Sequence, residues 1–178
     1  MIDLIIKTFW LLLPAGLANM APVLFKWIPI LNFPIDFNKK FKNKPIFGTN
    51  KTCRGFLFGI IVSILVVLMQ SLLYAHTKNI SLIDYSQTNP YLLGFLFGFG
   101  ALFGDLIESF FKRQMGVGSG KPWFPFDQID WIIGALLFVN FYITINWKYI
   151  ILSILLFGLL HPVMNLIGFY LGIKKNKF

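Results

Sequence analysis

"GFLFGIIVSILVVLMQSLLYA", residues 55–75, runs for 21 positions without a Lys, Arg, Asp or Glu. A helix needs roughly 20 apolar residues to cross the hydrocarbon core of a bilayer, so this stretch has the length and character of a membrane span. Windows 8–25, 85–104, 131–147 and 149–173 are likewise free of those four residue types and near bilayer length. The reading is an all-α, polytopic membrane protein: five transmembrane helices at about 4–30, 55–76, 89–111, 127–146 and 149–172, in one domain spanning 1–178. Composition agrees. The chain is 57% hydrophobic and 13% charged, with 21 Phe in 178 residues and a mean hydropathy of +0.72, far more apolar than a soluble domain. The apolar runs are continuous, whereas a barrel needs period-two strands of about ten residues. The single cysteine, Cys53, leaves no intrachain disulfide and no cysteine-based metal cluster. The first window has the small residues of a signal peptide. Asp3 and the length of its apolar run argue instead for a retained helix.

Charge sets the expected orientation. With five helices, Lys39, Lys40, Lys42, Lys44, Lys51, Arg54, Lys112, Arg113, Lys121, Lys174, Lys175 and Lys177 fall on one side with Lys26 at its rim, against Lys7, Lys78 and Lys148 on the other: 13 against 3. The rich side is expected to be cytoplasmic. The N-terminus is then outside, loops 32–54 and 112–126 and the C-terminus are inside, and the protein sits in the cell membrane.

One stretch departs from the apolar rule. "GDLIESFFKRQMGVGSGKPWFPFDQIDW", residues 104–131, holds four of the chain's seven acidic residues, Asp105, Glu108, Asp127 and Asp130, with Lys112, Arg113 and Lys121. On a helix Asp105, Glu108, Ser109 and Lys112 share a face, as Asp127 and Asp130 do. Carboxylates at membrane depth are costly unless paired or bound to a cation. One of them is explained by a salt bridge to Lys112 or by a helix cap. Several, facing each other across a loop of glycines and cations, suit a divalent metal and a phosphate ester. The loop "GVGSGKP" is no Walker A motif, since Gly116 is one residue too close to Gly120 and Pro122 replaces the hydroxyl. Gly118 and Gly120 still let backbone amides approach phosphate, beside Lys121. "GFGALFG" follows no strand and is no dinucleotide fingerprint. Gly94 with Gly98, and Gly100 with Gly104, predict close helix packing.

A second polar cluster, Asn50, Lys51, Thr52 and Arg54, stands where loop 32–54 meets the second helix. Positive-inside anchoring explains its charges, and a pocket for phosphates or a base explains its polar run better. Within helices, Asn19 lies between Pro14 and Pro22 and either satisfies freed backbone groups or meets ligand. His161 and Asn165 are four apart, fitting an interhelical hydrogen bond or a lipid contact. His76 lies on the Lys-poor side with no chemical role.

These residues carry a resemblance. Ser109, Lys112-Arg113, Asp127 and Asp130 match the S-x-x-K-R … D-x-x-D signature of the phosphatidate cytidylyltransferase superfamily. "ANMAPVLFKWIP", "FGTNKTCRGFLFG", "GDLIESFFKR", "PFDQIDWIIGAL" and "HPVMNLIGFYLG" together resemble its short archaeal-type branch, the CDP-archaeol synthase family, in order and over nearly the whole chain. Two features depart from the pattern: Cys53 replaces an expected aromatic, and the Lys-Asp and Pro-Gly-His-Gly-Gly elements of the longer bacterial enzymes are missing. The resemblance implies transfer of CMP from CTP to 2,3-bis-O-geranylgeranylglycerol 1-phosphate, releasing pyrophosphate. It implies catalytic roles for Asp105, Ser109, Lys112, Arg113, Asp127 and Asp130, and Mg²⁺, with or without a second cation, on Asp105, Asp127 and Asp130. Asn50, Lys51, Thr52, Arg54, Gly118, Gly120 and Lys121 would bind nucleotide and phosphates. Glu108 stays outside this set as an ion-pair partner for Lys112 or Arg113. The expected partners are CTP, a lipid phosphate and membrane lipids, without nucleic acid. The alternatives are a CDP-diacylglycerol synthase acting on phosphatidic acid, and a non-enzymatic carrier or scaffold. A carrier would place its charges near the midplane and show an internal repeat.

Overall fold

A computed structural model describes the backbone of residues 2–170 and the side chains of residues 2–160. Five long helices and one short one form a bundle: α1 (Ile2–Leu24), α2 (Cys53–Leu72), α3 (Tyr74–Thr77), α4 (Pro90–Gln114), α5 (Phe126–Asn140) and α6 (Trp147–Tyr170). Among the described residues, α1, α2 and α4 are long and apolar enough to cross a membrane, and Trp147–Leu160 of α6 is a shorter apolar helix. The chain is a membrane protein. His161 and Asn165 lie outside the residues whose side chains are described, and Lys174, Lys175 and Lys177 lie outside the described residues altogether.

Small residues decide the packing. Gly94 and Gly98 lie against α2, where a Cβ on Gly94 would stand 2.6 Å from the Cα of Ile64 and one on Gly98 would stand 2.8 Å from the Cβ of Ser63. Gly100 and Gly104, roughly 1.7 turns further on, look toward α5. A Cβ on Gly104 would lie 2.3 Å from the carbonyl oxygen of Asp130, and one on Gly134 would lie 2.2 Å from that of Gly100. Helix α4 is thus gripped between α2 and α5 at backbone contact distance, as small residues spaced four apart predict. Phe97, Ala101, Ile132, Ala135 and Val139 fill the centre and are fully buried.

The first predicted helix ends at Leu24 rather than residue 30, because Ile28 precedes Pro29 and a residue before proline disfavours helix. The third runs past residue 111 to Gln114, which puts Lys112 and Arg113 in its last turn, where cations complement the helix dipole. The fourth stops at Asn140 instead of 146. There the Asn140 side chain accepts from the Ile145 amide at 3.0 Å and folds the segment back. Loop 32–54 is not wholly irregular either. It carries a two-residue antiparallel ladder, β1 (Lys40–Phe41) against β2 (Lys44–Pro45), with Lys40 opposite Pro45.

The Lys-rich connections meet at one end of the bundle. Asn50 donates to the Ser119 hydroxyl at 2.8 Å, the Gln114 side chain donates to the Pro45 carbonyl at 3.1 Å, and Lys44 donates to the Gln114 carbonyl. The connections on the other side are also joined, through the Tyr142 hydroxyl, which accepts from the Asn89 amide at 2.9 Å. Between the ends, fully buried Gln70 donates to the Trp10 carbonyl at 2.7 Å and accepts from Tyr85 at 2.8 Å, tying α2 to α1 and to the loop before α4. Burial raises the pKa of the Tyr85 phenol, so it stays a donor.

Candidate functional site

The glycine contact between α4 and α5 brings the acidic residues together. Asp105 and Glu108 stand one turn apart on α4, and Asp130 projects from α5 beside Gly104. One carboxylate oxygen of each lies within 4.8 Å of the other two. Hard cations hold oxygens on opposite sides about 4 to 5 Å apart, so this all-oxygen set suits such an ion. Glu108 is 7% exposed, and among the described residues its buried Oε1 meets no hydrogen-bond donor. The Lys112 ammonium lies 3.6 Å from that oxygen, beyond hydrogen-bond reach, so part of the desolvation cost is left for a bound cation to remove.

Asp127, expected among the metal ligands, has other partners. It accepts from the Trp123 amide at 2.6 Å and is ion-paired with Lys112, whose ammonium also lies 3.6 Å from Glu108. Glu108, expected as an ion-pair partner for Lys112 or Arg113, does pair with Lys112 and also joins Asp105 and Asp130 in the triad. The reason is axial: Asp127 and Asp130 share a face but stand three residues apart along α5, and with Gly104 seated against the backbone of Asp130, Asp127 lies nearly one turn closer to the Lys112 end of α4. Lys51 reaches in from the loop before α2 and donates to both carboxylate oxygens of Asp105 at 2.6 Å. Counted at full formal charge, the four carboxylates of Asp105, Glu108, Asp127 and Asp130 exceed the ammonium groups of Lys51 and Lys112 by two, a surplus that one divalent cation balances.

The remaining expected residues separate into two groups. Ser109 is buried beside Glu108, its hydroxyl 3.4 Å from Oε2. Arg113 is buried, its Nε without a hydrogen-bond partner among the described residues, and it lines a cavity of about 380 Å³ with Gly118, Ser119, Lys40, Lys44, Gly48 and Thr49. Thr52 and Arg54 stand apart. Thr52 caps α2 by accepting from the Gly55 amide at 3.2 Å, and buried Arg54 donates to the Ile28 carbonyl. Gly120 adopts a left-handed turn, φ 77°, and exposed Lys121 donates its amide to the Gly118 carbonyl at 3.2 Å. Asn19 is half-buried on α1.

Asp36 was missed. Its buried carboxylate accepts from the amides of Asn38, Phe47 and Gly48 at 3.0, 2.8 and 3.2 Å and organises the cavity's wall. An Asp two residues before an Asn, between prolines, is an Asx-turn signal that was available in the sequence. Lys40, Lys44 and Ser119 were legible only as members of loops.

The family model described as "CarS-like: CDP-archaeol synthase" matches residues 1–178. The chain belongs to the CDP-archaeol synthase family. A CDP-archaeol synthase of Archaeoglobus fulgidus is 38% identical over 98% of this chain and 98% of that protein. One of Pyrobaculum islandicum is 36% identical over 94% and 95%, and one of Pyrococcus furiosus is 35% identical over 96% of each. A solved structure described as an intramembrane enzyme for archaeal membrane lipids biosynthesis superposes with a TM-score of 0.71 at 25% identity. That match covers 89% of this chain and 92% of the other. Within the CDP-archaeol synthase family, this chain carries its acidic cluster at the end of the bundle where the two Lys-rich loops join.

Proposed function

We propose that the chain is a CTP-dependent cytidylyltransferase that forms CDP-archaeol from 2,3-bis-O-geranylgeranylglycerol 1-phosphate. Family membership supports the reaction. The structural observation that carries it is the carboxylate triad of Asp105, Glu108 and Asp130, in which the buried Glu108 Oε1 accepts no hydrogen bond from the described residues, at the loop end that also holds the cation-lined cavity.

The lipid phosphate is anionic at neutral pH, so no base is needed to activate it. Its oxygen attacks the α-phosphorus of CTP. A P–O bond forms there as the bond to the bridging oxygen breaks, and pyrophosphate leaves with the electron pair. The protein's task is positioning and charge neutralisation. Asp105, Glu108 and Asp130 would hold Mg²⁺, which supplies Lewis-acid polarisation of the reacting phosphates when bound. Asp127 keeps Lys112 at the site. Arg113, Lys40, Lys44, Gly118 and Ser119 receive the triphosphate, Lys121 adds charge at the rim, and Ser109 donates to a phosphate oxygen.

In the proposed topology α1, α2, α4, α5 and α6 are five spans, the N-terminus is outside and the site faces the cytoplasm at the cell membrane; the lysine and arginine asymmetry supports this reading. The isoprenoid chains enter sideways between helices from the inner leaflet. The test is release of pyrophosphate from CTP by purified protein, with and without Mg²⁺, given the ether lipid phosphate or a diacyl phosphate. The expected result is Mg²⁺-dependent turnover of the ether lipid. Turnover indifferent to chelation sinks the metal reading, and preference for the diacyl lipid sinks the substrate assignment.

A further inference from the structure

Lys51 is the residue of the loop cluster whose ammonium is held by a carboxylate of the acidic triad. Its ammonium is held by both oxygens of Asp105 at 2.6 Å, and both side chains are largely buried, 26% and 21% exposed. Asp105 is also one of the three carboxylates grouped around the candidate metal position. The backbone beneath Lys51 is rigid: its amide donates to the Gly48 carbonyl at 3.2 Å and its carbonyl accepts from the Ile35 amide at 2.8 Å. Freedom is left only to the four-carbon stem. Gly48 and Thr49, two and three residues back on the same loop, line the cavity with Arg113, Lys40 and Lys44.

We infer that Lys51 is a resident counter-cation of the acidic cluster, which occupies Asp105 in the free enzyme and gives it up when nucleotide phosphates offer the ammonium a second anionic partner. The inference rests on the proposed metal site. Two cations on one carboxylate repel each other at short range in a medium of low dielectric. A divalent ion alone therefore meets a site partly neutralised by Lys51, whereas an ion arriving with a triphosphate brings the charge that draws Lys51 away. Neutralisation by a tethered ammonium also lowers the cost of holding a carboxylate at membrane depth while no substrate is present. The enzyme would thus load cation and nucleotide together and bind free cation weakly.

The test uses the full chain in detergent and Mn²⁺ alone, followed by loss of the free-ion EPR signal. Lys51→Met and Lys51→Gln should bind Mn²⁺ about tenfold more tightly than the wild type, the worth of one charge-assisted hydrogen bond, while Lys51→Arg stays at the wild-type value. Glu108→Gln, alone and combined with Lys51→Met, reports the metal site itself by weakening Mn²⁺ binding. Equal affinity in the wild type and both neutral Lys51 variants, with Glu108→Gln still weakening binding, overturns the role of Lys51 and leaves the metal site standing. Saturable binding in none of them overturns both. The wild type supplies a readout that requires no variant to fold: Mn²⁺ added together with CTP should change acylation of the Lys51 amine in mass-spectrometric footprinting, and the same acylation with and without both ligands refutes the inference.

Discussion

Gly104→Ala is the sharpest test of how the site is assembled. The added Cβ would lie 2.3 Å from the carbonyl oxygen of Asp130 and 3.1 Å from the Cα of Gly134, where ordinary contact begins at 3.4 Å. Both neighbours are helix backbone and cannot rotate away, so α4 and α5 must part by roughly 1 Å in a close-packed interior. Asp130 is the one member of the carboxylate triad carried by α5, and it moves with its backbone. Metal sites tolerate about 0.2 Å in ligand distance, and a displacement near 1 Å at a reacting centre costs on the order of 10²-fold in rate. The expected outcome is a folded, membrane-inserted protein, less stable by about 1–3 kcal/mol, whose Mg²⁺-dependent pyrophosphate release falls about a hundredfold. Gly16→Ala is the control. Its Cβ would meet the Trp131 ring at an ordinary 3.7 Å, and turnover should be unchanged. Wild-type turnover and melting temperature in Gly104→Ala would refute the claim that the backbone contact sets the site.

Three further outcomes are expected. Glu108→Gln should weaken Mn²⁺ binding by tenfold or more and cut kcat by on the order of 10²-fold, while Asp127→Asn should cut kcat and leave Mn²⁺ affinity nearly unchanged, because Asp127 serves Lys112 and the Trp123 amide; EPR titration beside the pyrophosphate assay separates the two. Tyr85→Phe removes the donor to buried Gln70 and should cost about 1–3 kcal/mol of stability without altering KM for CTP, as thermal unfolding and steady-state kinetics would reveal. Lys7→Ala and Lys78→Ala should be nearly silent in the same assay, since Lys7 forms only a partly exposed i,i+4 pair with Asp3 and such pairs contribute about 0–1 kcal/mol; a loss of activity would invert the proposed orientation.

Much of the molecule is legible in the sequence, because its signals are local or periodic. Hydropathy marks the helices, and the four-residue spacing of Gly94 with Gly98 and of Gly100 with Gly104 marks the two faces on which α4 is gripped. Lys and Arg asymmetry puts loops 32–54 and 112–126 on one side, and the structure joins them at one end of the bundle. The concentration of Asp105, Glu108, Asp127 and Asp130 locates the site to within two helix ends. The ordered hairpin of loop 32–54 is less visible, because Asp36 gathers amides from residues up to 12 positions away.

Only the tertiary structure apportions the carboxylates. Spacing alone makes Asp127 and Asp130 equivalent, and it leaves Glu108 an ordinary ion-pair partner one turn from Lys112. The contact of Gly104 and Gly134 sets the register of α5 along α4, and that register puts Asp130 at the triad and Asp127 nearly one turn on, beside Lys112. Packing also leaves Glu108 with a buried oxygen 3.6 Å from Lys112 that no described donor reaches, and the path of a distant loop brings Lys51 to Asp105. A residue's chemistry is written in its own identity, whereas the charge it faces is set by packing between segments far apart in the chain.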